Sequence, residues 1–530
     1  MAPIAAGGVM DKLYWWERRW FLAFLVLVST VPLLWPETPP LVDVPGHMGR
    51  FRVQLDLANS PELQRYFEFH WALVGNLGTD LLVQLLGPIM GLEPAVKLIV
   101  ILIPPLTVLG LIWVAKEVHG RVPPTLMFAV PFVYSFTFNF GFLNYSLTIA
   151  CALLAFAFWL RLGSFGRYRL RALLFIPISC ALWVVHAFGW GILGLLAFSA
   201  ELIRHHDRDA DWRKAAIRSA LAVAPMGLPA LVMLFGSGGG VVGGDSGNFS
   251  VIAKLYAIVV MLRDRWLVWD SLAVGAALVL IGSAIFDRHL ELSRKLVIPA
   301  VVLSLAFLVM PGKILGLSFA DARLASVVAI LLLLAIRIRN QQAARPLALL
   351  GLAFLGLRLA GNTISFAVED REAKRMLTAL EHIPHGAPVL FLTRQPCGER
   401  PDLPRFTHLG SMVIVRRNGF SNDQWQAAGA QLLRVRYPLA GFFRSDRSSF
   451  LFSQACLTKM ERKLGRSIPY DRRAETALRE FPRQAFDYVW MIDPPDFNIG
   501  ARPGLEPIWW GNRSVLYRID HSGVGPPVKR

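Results

Sequence analysis

The stretch PAVKLIVILIPPLTVLGLIWVA, Pro94 to Ala115, decides the fold class. Its one charge, Lys97, lies near its start, and Lys116, Glu117 and Arg121 follow its end. As a helix rising about 1.5 Å per residue it is long enough to cross a hydrocarbon core of about 30 Å. Ten more apolar stretches accompany it, near 19–36, 122–138, 142–160, 170–185, 188–203, 214–236, 267–286, 294–311, 324–338 and 346–362. Hydrophobic residues form 54% of the 530-residue chain, and its mean hydropathy of +0.46 is far above soluble norms. The pattern predicts an α-helical polytopic membrane protein with about eleven transmembrane helices over 1–362. A soluble α/β domain is expected over 363–530.

Charge fixes the expected topology. With Lys12, Arg18 and Arg19 on the cytoplasmic side, that side collects twenty basic residues, among them Arg121, Arg161, Arg171, Arg204 and Arg337, against eight in the opposite loops. Such a bias orients membrane proteins. The N-terminus is therefore placed in the cytoplasm, and the first loop (37–93) and everything after Asn362 outside, as in a bacterial inner membrane protein. The first apolar segment runs into Trp35-Pro36-Glu37 with no small-x-small cleavage site, so it reads as a retained helix.

The formal net charge is +18, much of it in short cytoplasmic loops where topology accounts for it, so no nucleic-acid partner is expected. From Glu369 onward the tail carries 25 basic and 17 acidic residues, an excess suited to anionic membrane lipids or a phosphorylated ligand. No protein partner is legible. Of the four cysteines, Cys151 and Cys180 lie in apolar segments, while Cys397 and Cys456 fall in the outer region, where a disulfide between them is expected.

Within the first loop, Phe51 to Leu57 alternates as an amphipathic helix lying along the membrane surface. A second helix is expected near Asp80–Met90, with Leu81, Leu82, Leu85 and Leu86 clustered. The run Gly236-Ser-Gly-Gly-Gly-Val-Val-Gly-Gly244 follows a membrane helix and lacks the closing Gly-Lys-Ser/Thr of a phosphate loop, leaving a mobile loop or a lid. In the tail, 388–392, 486–492 and 514–519 read as buried strands, and 372–382 and 474–480 as helices. The tail shows no nucleotide fingerprint and no metal-spaced Cys/His set, so it reads as binding or shaping an acceptor.

Ionisable groups near membrane depth need a reason to be there. In Asp43-Val-Pro-Gly-His47-Met-Gly-Arg50, a helix opened by Pro45 puts Asp43 at its N-cap and His47 and Arg50 one turn apart. Asp43 is then either a cap or a base for an attacking hydroxyl, with His47 and Arg50 on phosphate. Asp80, near His70 and Asn76, is either a second cap or a second site carboxylate. Two acids in one cavity would bind a divalent cation or divide acid–base roles; the cofactor is otherwise unknown. Asn144 adds an amide to the outer turns, and His186 is either a structural donor or a site residue. Asp321 and Arg323 form a local capping pair, or Arg323, joined by Arg358, grips a lipid phosphate through its forked donors.

On these residues the chain resembles the GT-C superfamily of membrane glycosyltransferases, in particular bacterial, mostly uncharacterised members with an Asp-x-Pro-x-His segment, here Asp43 to His47. Asn76-Leu-Gly-x-Asp80 and Asp321-x-Arg323 are similar too, whereas the adjacent acidic pair of many such enzymes is missing from the first loop. The resemblance implies a polyprenyl-phosphate sugar donor and a glycan, lipid or protein acceptor. It implies Asp43 as base, and Arg323 with Arg50 or His186 on the departing phosphate. Two other classes fit the sequence: a transporter or flippase of lipid-linked intermediates, and a non-catalytic envelope-assembly protein.

Overall fold

The computed structural model describes residues 13–235, 249–314, 317–339, 341–397, 402–426, 431–464, 472–495 and 502–522. The glycine run 236–244 lies outside them. Among the described residues seven helices are long and apolar enough to cross a membrane: Leu92–His119, Leu143–Ser164, Tyr168–Val185, Ala187–Asp209, Trp212–Met233, Leu267–Phe286 and Gln342–His382. The chain is an integral membrane protein. Leu143–Ser164 has 72% of its apolar window buried and runs through the centre of the bundle, whereas Trp212–Met233 has 17% and lies at its margin.

The four remaining apolar stretches form shorter helices, for local reasons. Residues 19–36 divide into Arg19–Val28 and Val31–Leu34, because Pro32 has no N–H to return to Val28. Residues 122–138 fold into short turns around Pro131. Arg294–Val309 has 16 residues. Ala322–Ala335 has 14 and ends where Ile336–Ile338 pairs antiparallel with Leu290–Leu292. Arg171, counted with the basic loops, is instead 3% exposed and paired with Glu201 at 2.8 Å. A guanidinium between helices requires such a partner.

One helix, Gln341–Leu377, carries the chain across position 362 and into the tail without a break, so the start of the expected 372–382 helix is its last stretch. The tail is built on a mixed six-stranded sheet. Pro388–Arg394 and Tyr488–Ile492 pair in parallel at its centre, and Ser514–Ile519 and Leu505–Gly511 extend it antiparallel. Phe420–Ser421 and Phe450–Leu451 pair in parallel with opposite ends of Pro388–Arg394. That strand is buried almost throughout, as a central strand covered on both faces should be. Ala474–Glu480 is a helix, and Cys397 and Cys456 form a disulfide with their Cα atoms 5.5 Å apart.

The first loop does not lie free along the membrane. Its helix, Val44–Asp56, buries Met48, Phe51 and Val53 between the bundle and tail residues 409–417. Gly46 and Gly49 make this possible. A Cβ on Gly46 would overlap the Trp425 ring, and one on Gly49 would sit 2.5 Å from Gln424 Nε2 and 3.0 Å from Ser411 Cβ. Gln424 Nε2 instead donates to Gly46 O at 3.0 Å. Further along, Phe67–Phe69 pairs antiparallel with Leu433–Val435 of the tail.

A buried ionic cluster adds a third tie. Asp264, 2% exposed, takes an ion pair from Arg405 and hydrogen bonds of 2.9 Å from Asn362 Nδ2 and Ser365 Oγ. Removing one member of such a pair strands the other charge, at a cost of about 3–5 kcal/mol. Asp264→Ala should therefore lower the melting temperature of the solubilised protein and expose the tail to trypsin. Unchanged melting and cleavage would show that the cluster does not hold the tail.

Candidate active site

Bundle, first loop and tail meet around a cavity of ≈ 330 Å³. Asp43 and His47 reach it from the first loop, Asn76, Asn144, His186 and Arg323 from around the ends of the bundle helices, and His408, Trp425, Gln431 and Asp446 from the tail.

Asp43 occupies the N-cap position of Val44–Asp56, but its carboxylate makes no capping hydrogen bond. It is held by its backbone, whose N–H donates to Phe140 O at 2.9 Å. Gly141, at φ 97°, closes that turn, and a Cβ there would lie 2.9 Å from Asp43 N. Burial pushes the Asp43 carboxyl up to about 8, with nearby Arg323 opposing the shift. Asp43 Oδ1 stands 3.8 Å from His408 Nε2.

His408 is oriented from behind. Its Nδ1 donates to the Asp423 carbonyl at 3.2 Å, which leaves the Nε2 lone pair facing Asp43. Burial lowers the His408 pKa to about 4, so the ring is neutral. Asp423 is fixed in turn by Ser411, which donates from N at 2.8 Å and Oγ at 2.6 Å, and by Ser421 Oγ at 3.0 Å. Trp425 packs edge-on to both His408 (4.6 Å) and His47 (5.3 Å). Burial and the neighbouring Arg50 also hold His47 well below the usual imidazole range, so it offers the cavity no cation.

Arg323 faces Asp43 from the bundle. Its guanidinium carbon lies 4.1 Å from the Phe142 ring centre and 5.2 Å from that of Tyr145, and Nη2 donates to Ser318 O at 3.4 Å. Nε is buried without an acceptor, and no carboxylate among the described residues forms an ion pair with Arg323. His186 caps the next helix: its Nδ1 accepts from Phe188 N at 3.1 Å, so Nε2 carries the proton and is a donor. Asn144 Nδ2 donates to Asn76 O at 2.8 Å and to Asn76 Oδ1 at 2.9 Å.

The other expected site residues are placed differently. Arg50 and Asp80 pair with each other at 3.0 Å, 3% and 1% exposed, and Arg50 also donates to Gln431. Arg50 is thus not free to grip phosphate, and Asp80 is not a second carboxylate of the cavity. Asp80 lies in the first turn of Gly78–Met90, where it also accepts from Asn144 Nδ2 at 3.4 Å. His70 is on the surface, 3.5 Å from Glu68. Asp321 caps its helix by accepting from Ala322 N and pairs with Lys254 at 3.0 Å, not with Arg323. Arg358 pairs with Asp270 at 2.7 Å, away from the cavity.

Asp80 is consumed by Arg50, and no group of three His, Cys, Asp or Glu side chains able to hold a metal occurs among the described residues. His408, Gln431 and Asp446 escaped the sequence reading. Trp425 closes the polar run Asn422-Asp-Gln-Trp425, the one local hint that the tail carries site residues.

The Arg50–Asp80 pair should behave as structure. Asp80→Ala is expected to cost about 3–5 kcal/mol of stability, and pairing Arg50→Met with Asp80→Leu to recover most of it, read by thermal unfolding. A stable but inactive Asp80→Ala protein would return Asp80 to the chemistry.

No protein-family model matches the chain, and no curated protein matches it. Among solved structures, ArnT from Cupriavidus metallidurans bound to undecaprenyl phosphate is similar with a TM-score of 0.48 and 12% identity, over 96% of this chain and 99% of that one. Apo ArnT from the same organism gives a TM-score of 0.46 and 13% identity, over 96% and 98%.

Proposed function

We propose that the chain is a glycosyltransferase that moves a sugar from a polyprenyl-phosphate donor to an acceptor hydroxyl in the cavity around Asp43. The observation that carries this reading is the opposition of a carboxyl that caps no helix, Asp43, and a guanidinium without an ion-pair partner among the described residues, Arg323, in one cavity at the ends of the bundle helices. This is the pair that the resemblance to GT-C enzymes calls for. The acceptor oxygen attacks the anomeric carbon as Asp43 takes its proton. The bond from that carbon to the phosphate oxygen breaks, and its electrons leave with the phosphate. Arg323 stabilises the charge that develops there, and the Nε2 proton of His186 adds a neutral donor. A donor of this kind is worth about 3–4 kcal/mol in the transition state. His408 turns a lone pair toward Asp43, behind the proton just taken.

The test follows release of polyprenyl phosphate from a panel of lipid-phosphate sugars with added envelope acceptors. Wild type should release it and Asp43→Asn should not; retained turnover in Asp43→Asn would overturn the assignment. Arg323→Gln should lose about 10²–10³-fold in kcat.

The pH profile is set by Asp43. A base with a pKa of about 8 is mostly protonated at pH 7, so kcat/KM should rise with pH and level off above about 8. In Arg323→Gln the rise should move to higher pH, because the cation that favours the carboxylate is gone. A flat wild-type profile would exclude Asp43 as the base.

A further inference from the structure

A second cavity, of ≈ 270 Å³, opens in the tail beside the first, and Phe450 lines both. The partition between them is the segment 446–450, with Asp446 on the reaction side and Ser448 on the other. Phe442 and Phe443 form an aromatic wall, with ring centroids 5.6 Å apart and planes at 81°. Gly441, at φ 53° and ψ −126°, breaks the helical turn between Leu439 and Phe442, which are 53% and 38% exposed. A Cβ on Gly441 would meet nothing within 4 Å, so the turn itself leaves that space open.

Two charged groups stand in this otherwise apolar wall, Arg472 and Glu480. Arg472 is half-buried, with its guanidinium carbon 5.8 Å from the Phe452 ring centre, and it forms no ion pair among the described residues. Glu480 is 3.5 Å from Arg479, on the solvent side. Asp446 favours the Arg472 charge only from beyond ion-pair distance, and Arg447 opposes it. A half-buried guanidinium so placed is one a ligand anion satisfies, and its fork suits a carboxylate or a phosphate. Aromatic rings beside it provide flat apolar faces, and the exposed Glu480 carboxylate provides acceptors of the kind that hydroxyls require.

The geometry points to this cavity as the acceptor subsite, binding an acidic sugar unit, one that carries a carboxylate or a phosphate, of a glycan whose reactive hydroxyl passes Phe450 to reach Asp43. The inference rests on the glycosyl-transfer reading, but binding tests it separately from turnover. An apolar chain or a neutral glycan would bring no anion to Arg472, which sets the acidic sugar above both.

The experiment measures binding of short oligosaccharides to the full-length protein in nanodiscs by saturation-transfer NMR and calorimetry. The probes end in glucuronic acid, in a sugar phosphate or in a neutral glucose, with dodecanoate as an apolar anion. Wild type should bind at least one acidic probe at least tenfold more tightly than the neutral one, with affinity falling as salt rises. Arg472→Gln should lose that preference while the neutral probe is unaffected, and Phe443→Ala should weaken all the oligosaccharides. The glucuronate and phosphate arms distinguish the two anions. Equal binding of acidic and neutral probes, no binding of either acidic probe, unchanged affinity in Arg472→Gln, or preference for dodecanoate would overturn the proposal. Arg472→Gln should also cut transfer to an acidic acceptor more than transfer to a neutral one. If no donor turns over but the binding pattern holds, the transferase reading fails and the acidic-sugar site stands.

Discussion

The site depends on one close approach, that of the tail loop 408–426 to the first-loop helix at Gly46 and Gly49. Helix backbone and tail side chains meet there with no room for a Cβ, and Gln424 reaches the Gly46 carbonyl. This seats Trp425 over the start of the helix and brings His408 to 3.8 Å from Asp43. Bulk at Gly46 would push out the ring that packs against both histidines. The desolvation that raises the Asp43 pKa follows from the same contact, since the tail covers a carboxyl that the first loop alone would leave to water.

Electrostatics then separates structure from site. Buried charge is tolerated only when paired, and most of it here is: Arg50 with Asp80, Lys254 with Asp321, Arg358 with Asp270, Arg405 with Asp264, Arg171 with Glu201. Arg323 stands out because its neighbours are aromatic rings and a carbonyl. Such a cation is costly in the resting protein and favourable once an anion arrives. Asp321, two residues earlier, looks equivalent in the sequence, yet its carboxylate turns to Lys254 on another helix. Which helix stands opposite decides whether a buried charge meets a partner.

The apolar periodicity made the bundle legible, and strands 388–394, 488–492 and 514–519 could be read from their β-branched and aromatic runs because a central strand is apolar on both faces. Helix lengths were less legible. Pro32 and Pro131 interrupt apolar runs that composition alone counts as whole, and the ribbon of 290–292 with 336–338 ends another. At the site, Asp43, His47, Asn76, Asn144, His186 and Arg323 could be selected because each is a polar residue of the outer loops or outer helix ends. That same criterion selected Arg50, Asp80, Asp321 and Arg358, which the fold uses for pairing. Nothing local distinguishes the two groups, because a salt bridge between residues 30 or 88 apart leaves no pattern in either segment.

What the sequence determined by itself is what short-range physics controls: which stretches form apolar helices, where Pro45 starts a helix with Asp43 before it, and which tail segments are strands. Tertiary structure alone decided which charges remain unpaired, which way His408 presents its nitrogens, and that the tail supplies one wall of the cavity. These depend on groups that are not neighbours in the chain, and only packing sets their distances and the water they lose.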